Sequence, residues 1–189
     1  MFNGTGFTGT RRAAAATASA VALGIGAAVF ATSTASAAPA APSPTPVCTA
    51  QDVAVWINIS QPNGAAGTIY YPLEFTNTSN HACTMQGYPG VSALNAKNQQ
   101  LGSAANWNPA YPVSKVTIPA GGTAHTDLGW VDVQNYPASI CKPAASTLIK
   151  VYPPDQKGYV LGLAGLEGCS AKGAPYLSTT VVRPGPNGD

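Results

Sequence analysis

The chain carries little charge, and its charged residues form no cluster. Only 8% of its 189 residues are charged, with 9 Lys and Arg against 7 Asp and Glu, whereas a typical soluble protein has about 25%. So little charge argues against a disordered tail or a coiled coil. The scattered basic residues exclude a protein that works by binding a nucleic-acid backbone or an anionic membrane surface.

The sequence also has few of the residues and spacings that catalysis needs. It has two histidines, His81 and His125, and it lacks a Cys-x-x-Cys pair, a glycine-rich phosphate loop and a Gly-x-Ser-x-Gly elbow. His125 and Asp127 are two apart on a predicted strand, so they share a face, and such a pair can orient a general base. We interpret the pair as a solvated sheet face, with a hydrolase as the weaker alternative. We therefore predict no enzyme, no catalytic residue, no metal site and no cofactor.

The N-terminal segment has the features of an export signal. Arg11 and Arg12 precede a weakly apolar run over 13–32, and Ala35-Ser36-Ala37 matches a cleavage site. We predict a signal peptide over 1–37 and a secreted, extracellular protein without stable membrane insertion after cleavage. The general secretory route is favoured, and twin-arginine export is the alternative. Without the two arginines, the basic and acidic residues are equal in number.

The remaining chain is predicted to form one domain that disulfides stabilise. The Pro- and Ala-rich residues 38–47 indicate a linker, 48–184 the domain and 185–189 a tail. An even number of cysteines in an exported chain favours disulfides, and three pairings are possible. We favour Cys48 with Cys83 and Cys141 with Cys169, because each pair joins segments expected to be near neighbours in a meandering sheet.

Alternation of apolar and polar residues predicts an all-β fold. No stretch after residue 37 has a helical pattern of ten or more residues. Pro72 cannot donate to a ladder, so its strand is predicted to be an edge or bulged strand. Trp56 and Trp130 lie on strands and are predicted core residues. We expect an immunoglobulin-like, two-sheet sandwich of about nine short strands, at 53–60, 69–76, 84–87, 91–94, 115–118, 123–130, 147–152, 159–163 and 176–182.

One run of residues resembles a known family. The run Thr76-Asn77-Thr78-Ser79, followed by 81–91, is similar to the signature of the secreted actinobacterial family called domain of unknown function 4232. Further similarities lie at Cys48, 65–67, 119–122, Cys141 with 148–153, and Cys169. Met85 stands where that family usually has Leu, a swap that conserves volume. The resemblance covers 48–184 and implies a secreted, disulfide-bonded, immunoglobulin-like sandwich with no established activity.

Two loops are candidates for function. The loop that contains Trp107, Pro109, Tyr111 and Pro112 combines two aromatic residues with rigid prolines. Aromatic side chains on such a loop can stack on sugars or peptides. The alternative is that Trp107 folds back over a sheet edge. Residues 136–140 precede Cys141 and would suit a secreted protease inhibitor. We favour a non-enzymatic module that binds a cell-envelope or protein ligand, with the inhibitor as the alternative.

Overall fold

The fold of this protein was analysed in a computed structural model, which describes residues 43–186. The predicted signal peptide and the first part of the predicted linker lie outside these residues. The described chain is nearly all β, as the alternation predicted, and it holds two disulfides. Its two helical segments are a 3₁₀ turn at Val133–Asn135 and the short helix α1 at Ala138–Cys141.

The strands are short and follow one another closely along the chain. They are β1 (Val53–Ile57), β2 (Asn63–Ala65), β3 (Thr68–Asn77), β4 (Cys83–Gln86), β5 (Gly90–Leu94), β6 (Gln100–Leu101), β7 (Asn106–Trp107), β8 (Lys115–Ile118), β9 (Thr123–Val131), β10 (Pro143–Tyr152), β11 (Val160–Cys169), β12 (Leu177–Thr179) and β13 (Arg183–Pro184). Each of the nine predicted strands corresponds to one of these. The additional strands β2, β6, β7 and β13 have only two or three residues, too few to show an alternating pattern.

The strands of the described chain form three sheets rather than two. The largest has the order β1-β3-β9-β12-β7, with β2 also pairing with β3 and β13 with β9. A second sheet has the order β11-β10-β5-β6, and β4 pairs with β8 in a third. The pairing is antiparallel except between β12 and β7. The immunoglobulin-like arrangement of the strands stays a prediction.

The core takes side chains from all three sheets. In β1, Val53, Val55 and Ile57 are buried while the residues between them are exposed. Trp56 therefore lies on the solvent side with 46% of its surface exposed, and the prediction that it is a core residue is wrong. The alternation itself decides this, because Trp56 has the opposite parity to the three buried residues. Trp130 is 4% exposed, as predicted.

Pro72 lies inside the largest sheet, which corrects the prediction of an edge strand. Its strand, β3, pairs with β9 along one side and with β1 and β2 along the other. The Pro72 carbonyl accepts a hydrogen bond of 2.8 Å from the Asn58 N–H, just beyond the end of β1. The imide nitrogen points to that same side, where the partner strand is interrupted between β1 and β2. An interior strand tolerates the missing N–H there.

Both disulfides have the predicted pairing. Cys48 bonds to Cys83 across 35 positions, and Cys141 bonds to Cys169 across 28. The first joins the start of the domain to β4, and the second joins α1 to the end of β11. Part of the predicted linker also belongs to this region, because the Pro46 carbonyl accepts a 2.8 Å bond from the Thr84 N–H.

Candidate ligand-binding cleft

The outer face of the largest sheet carries polar residues on two neighbouring strands. Leu73 and Phe75 of β3 are buried in the core, so Pro72 and Glu74 project from the opposite face. Register pairs Pro72 with Asp127 and Glu74 with His125 on β9. His125 and Asp127 therefore share a face, as their spacing predicted.

A cleft of about 380 Å³ opens on this outer face. Its residues come from β3, β9 and β13, from the segment around β2, from the loop after β7 and from the residue that follows β12. They are Gln61, Asn63, Tyr70, Pro72, Asn108, Ala110, Tyr111, Asp127, Thr180 and Arg183. We call this site the Arg183 cleft. Its volume falls near the lower end of the range for small-molecule sites, about 300–1,000 Å³.

Arg183 contacts two other residues of the cleft. Its Nη2 donates to Asp127 Oδ2 at 2.7 Å, and its guanidinium carbon lies 3.9 Å from the centroid of the Tyr111 ring. Arg183 Nε is buried and has no hydrogen-bond partner among residues 43–186. The ion pair and the cation–π contact hold Asp127, Arg183 and Tyr111 in fixed relative positions before any ligand arrives.

Gly129 allows Tyr70 to line the same face. Gly129 lies opposite Tyr70 on β3 and opposite Ser178 on β12. A β-carbon at this position would collide with the Ser178 hydroxyl and press on the Tyr70 ring. The missing side chain thus lets the ring lie against the β9 backbone.

His125 lies beside the cleft but not at its surface. It is fully buried, and its Nδ1 donates to the Gly185 carbonyl at 2.7 Å. The prediction of a solvated face is wrong at this residue, because Arg183 of β13 lies beside it in the sheet and the chain after β13 brings the Gly185 carbonyl to its ring. Glu74 beside it is also buried, and its Oε1 accepts a 3.0 Å bond from Asn58 Nδ2.

Trp107 and Tyr111 contact different parts of the protein, although the sequence grouped them in one candidate binding loop. Trp107 is 68% exposed and stacks on Tyr88, with the ring centroids 5.1 Å apart and the planes at 14°. Register places it opposite Thr179, which is buried. Only Tyr111 of the two lines the Arg183 cleft. The structure therefore assigns Tyr111, and not Trp107, to this cleft.

The segment 136–140, proposed from sequence as an inhibitor loop, enters the helical turn of α1 at Ala138. The N–H groups of Ile140 and Cys141 both donate to the Pro137 carbonyl, at 2.8 and 3.0 Å. Ile140 is 62% exposed. An inhibitor that adds a strand to a protease needs an extended backbone with free hydrogen-bonding groups, and this turn does not present one.

The groups with shifted pKa values lie outside the cleft. Burial raises the pKa of Tyr71 and, more strongly, that of Tyr176, whose hydroxyl donates to the Leu101 carbonyl at 3.2 Å. Hydrogen bonds from the Thr49 hydroxyl and N–H lower the pKa of Asp52. These three residues belong to the core and to the turn before β1.

Residues 43–186 contain no group of three His, Cys, Asp or Glu side chains placed to hold a metal ion. The same residues include no helix with the length and apolar character needed to cross a membrane.

The fold and the cleft define a disulfide-bonded all-β domain with a polar surface site. A protein-family model described as "Domain of unknown function (DUF4232)" matches residues 48–183, most of the chain. The chain belongs to that family, as the run over 76–91 indicated. No curated protein and no solved structure matches it.

Proposed function

We propose that this protein is a secreted, non-enzymatic binding module whose ligand occupies the Arg183 cleft. The proposal rests on one observation: inside a surface cleft, Arg183 forms an ion pair with Asp127 and a cation–π contact with Tyr111, which together hold the three side chains in place. A site that is ordered before binding loses less conformational entropy when the ligand arrives. The ligand would come from the cell envelope or from a protein outside the cell.

Two features support an extracellular location. Disulfides persist in oxidising compartments, and this chain pairs all four of its cysteines. The features of residues 1–37 fit an export signal.

The state of His125 supports a role without catalysis. A general base must come within hydrogen-bond reach of the proton that it removes from a substrate. His125 is fully buried, and its Nδ1 already donates to Gly185. It therefore has no surface from which to contact a substrate.

The experiment is recovery of the purified protein on isolated cell-envelope fractions, separated into polysaccharide and protein material. We expect Tyr111→Ala to lower recovery on one fraction severalfold, because it removes the ring that Arg183 orients. Trp107→Ala removes an even more exposed aromatic side chain outside the cleft, so it is the matched control and should bind like the wild type. Equal recovery of wild type and Tyr111→Ala would exclude the cleft. Turnover of any substrate that disappears in His125→Asn would contradict the non-enzymatic role.

A further inference from the structure

We infer that the Arg183 cleft binds a neutral carbohydrate, with at least one sugar ring inside it. This inference rests on the proposed function and adds the chemical class of the ligand. It follows from the charge, the hydrogen-bonding groups, the aromatic surfaces and the size of the cleft.

The charge of the cleft favours an uncharged ligand. Its lining has one cationic residue, Arg183, and one anionic residue, Asp127, and these are paired at 2.7 Å. Because these two charges are paired and offset each other, the lining has no net charge that would attract an anionic or a cationic ligand.

The hydrogen-bonding groups of the cleft suit hydroxyls. Gln61, Asn63 and Asn108 line the cleft, and their side-chain amides make no hydrogen bond to any residue within 43–186. An amide offers both donors and an acceptor, and a sugar hydroxyl also donates and accepts. An apolar ligand would take these amides out of water without replacing their hydrogen bonds, which is unfavourable.

Two aromatic rings provide the apolar part of the site. Tyr70 reaches the cleft from β3, and Tyr111 reaches it from the loop after β7. The ring carbons of a sugar present an apolar C–H face that packs against an aromatic ring. Tyr111 is 40% exposed, and Arg183 fixes its orientation. Polar groups around such rings match a sugar, whose edge is polar and whose faces are partly apolar.

The volume of the cleft sets the size of the bound part. At about 30 Å³ per water molecule, 380 Å³ holds about a dozen waters. A hexose has about the same number of non-hydrogen atoms, and because these are bonded to one another they occupy less volume than that many waters. The site therefore has room for at least one ring, and a longer chain would extend from its open mouth into solvent.

The test is a set of NMR titrations of the purified, isotope-labelled protein with six small probes. Four are neutral: D-glucose, D-mannose, D-galactose and N-acetyl-D-glucosamine. Two are charged counterparts of similar size, D-glucuronate and D-glucosamine. We expect at least one neutral sugar to bind saturably in the millimolar range. Its shift changes should centre on the backbone amides of Tyr70, Asn108, Tyr111 and Asp127.

Variants at the exposed lining test the contacts directly. We expect Tyr111→Ala and Asn63→Ala each to weaken binding at least about fivefold. The first removes an aromatic ring that packs on the sugar, and the second removes an amide that hydrogen-bonds to it. Tyr111→Phe keeps the ring and should bind within about twofold of the wild type, as should the control Trp107→Ala. Dispersed amide spectra will show that each variant is folded.

Three results would overturn the inference. Binding of only the charged probes would show that the ligand class is wrong. Sugar binding that neither Tyr111→Ala nor Asn63→Ala weakens would place the sugar elsewhere. Binding of none of the six probes would also reject it. In that last case the envelope-fraction experiment separates the two proposals: Tyr111-dependent recovery would leave the proposed function standing, and its absence would remove both.

Discussion

The guanidinium of Arg183 lies over the ring of Tyr111, with 3.9 Å between the guanidinium carbon and the ring centroid. The same guanidinium donates to Asp127 at 2.7 Å. One side chain thus connects the C-terminal strand β13 to β9 and to the loop after β7. The cleft depends on this connection, because the loop residue Tyr111 reaches the sheet face through it.

Replacing Arg183 should destabilise the fold modestly. We expect Arg183→Met to lower the free energy of unfolding by about 1–2 kcal/mol, the combined contribution of a partly exposed ion pair and a cation–π contact. Urea unfolding monitored by circular dichroism measures this. Lys157→Met removes a positive charge from an exposed residue and is the control. Equal stability of the two variants would show that the Arg183 contacts contribute nothing.

Asn77 is expected to be the most sensitive polar residue of the fold. Its side chain is buried, and its Nδ2 lies within hydrogen-bond distance of the carbonyls of His81 (2.8 Å), Ile118 (3.0 Å) and Pro119 (3.2 Å). Its Oδ1 accepts from the N–H and hydroxyl of Ser79. Asn77→Asp replaces the donor with an acceptor facing those carbonyls, so we expect a loss of at least about 3 kcal/mol of unfolding free energy.

The control for this variant is in the same turn. Asn80→Asp makes the same chemical change at an exposed residue and should alter the unfolding free energy by no more than about 0.5 kcal/mol. Chemical denaturation of both variants provides the comparison. A loss below about 1 kcal/mol in Asn77→Asp would contradict the buried hydrogen-bond network.

Trp56 and Trp130 should respond differently to the same substitution. Trp130 Nε1 donates to the Glu167 carbonyl at 2.7 Å, and the ring meets Tyr176 edge-on at 5.7 Å. Trp130→Phe loses that bond and leaves a void, so we expect a destabilisation of about 1–3 kcal/mol. Trp56→Phe acts on a half-exposed side chain and should cost no more than about 0.5 kcal/mol. Thermal unfolding with equal midpoints for both variants would refute this difference.

Asp52 gives the fold a pH dependence at the acidic end. The Thr49 hydroxyl and then the Thr49 N–H, both 2.7 Å from Asp52 Oδ2, lower its pKa, and the nearby His81 adds to this while desolvation opposes it. A pKa that is lower in the folded state stabilises the fold above the ordinary value of 3.8. That contribution disappears as the pH falls through the folded-state pKa.

The Asp52 prediction is tested by measuring unfolding free energy against pH for wild type and Asp52→Asn. We expect the wild type to be the more stable protein near neutral pH, and the two curves to converge in acid. A constant difference across the whole range would show that Asp52 ionisation does not contribute.

The strands and the disulfides were predictable because their signals are local. Alternation along β1 and β9 requires only a few consecutive residues, and it places His125 and Asp127 on one face. The cysteine pairing followed from the proximity of consecutive segments. The Asn77–Ser79 hydrogen bonds likewise form within a four-residue polar turn, where such side chains bond their own backbone.

The errors at His125 and Pro72 arose because their neighbours are distant in sequence, whereas the error at Trp56 went against a local alternation that already placed it outward. Local alternation does not tell whether the outward side of a sheet faces water. His125 is next to Arg183 of β13 in the sheet and donates to the Gly185 carbonyl, 60 positions away in sequence, and a strand of two residues carries no periodic signal. Pro72 is tolerated because β1 and β2 leave a gap opposite it, which nothing near Pro72 encodes.

The residues of the cleft also differ in whether the sequence carries a local signal for them. The aromatic loop was identified from its composition, and Tyr111 does line the cleft, whereas Arg183 had no distinguishing signal in the sequence. The amino-acid sequence by itself determined the all-β class, the strand positions and the cysteine pairs, since these depend on period-two patterns and on nearby segments. Only the tertiary structure decided which outward-facing residues meet, because β3, β9, β13 and the loop after β7 come together through long-range pairing that has no local pattern.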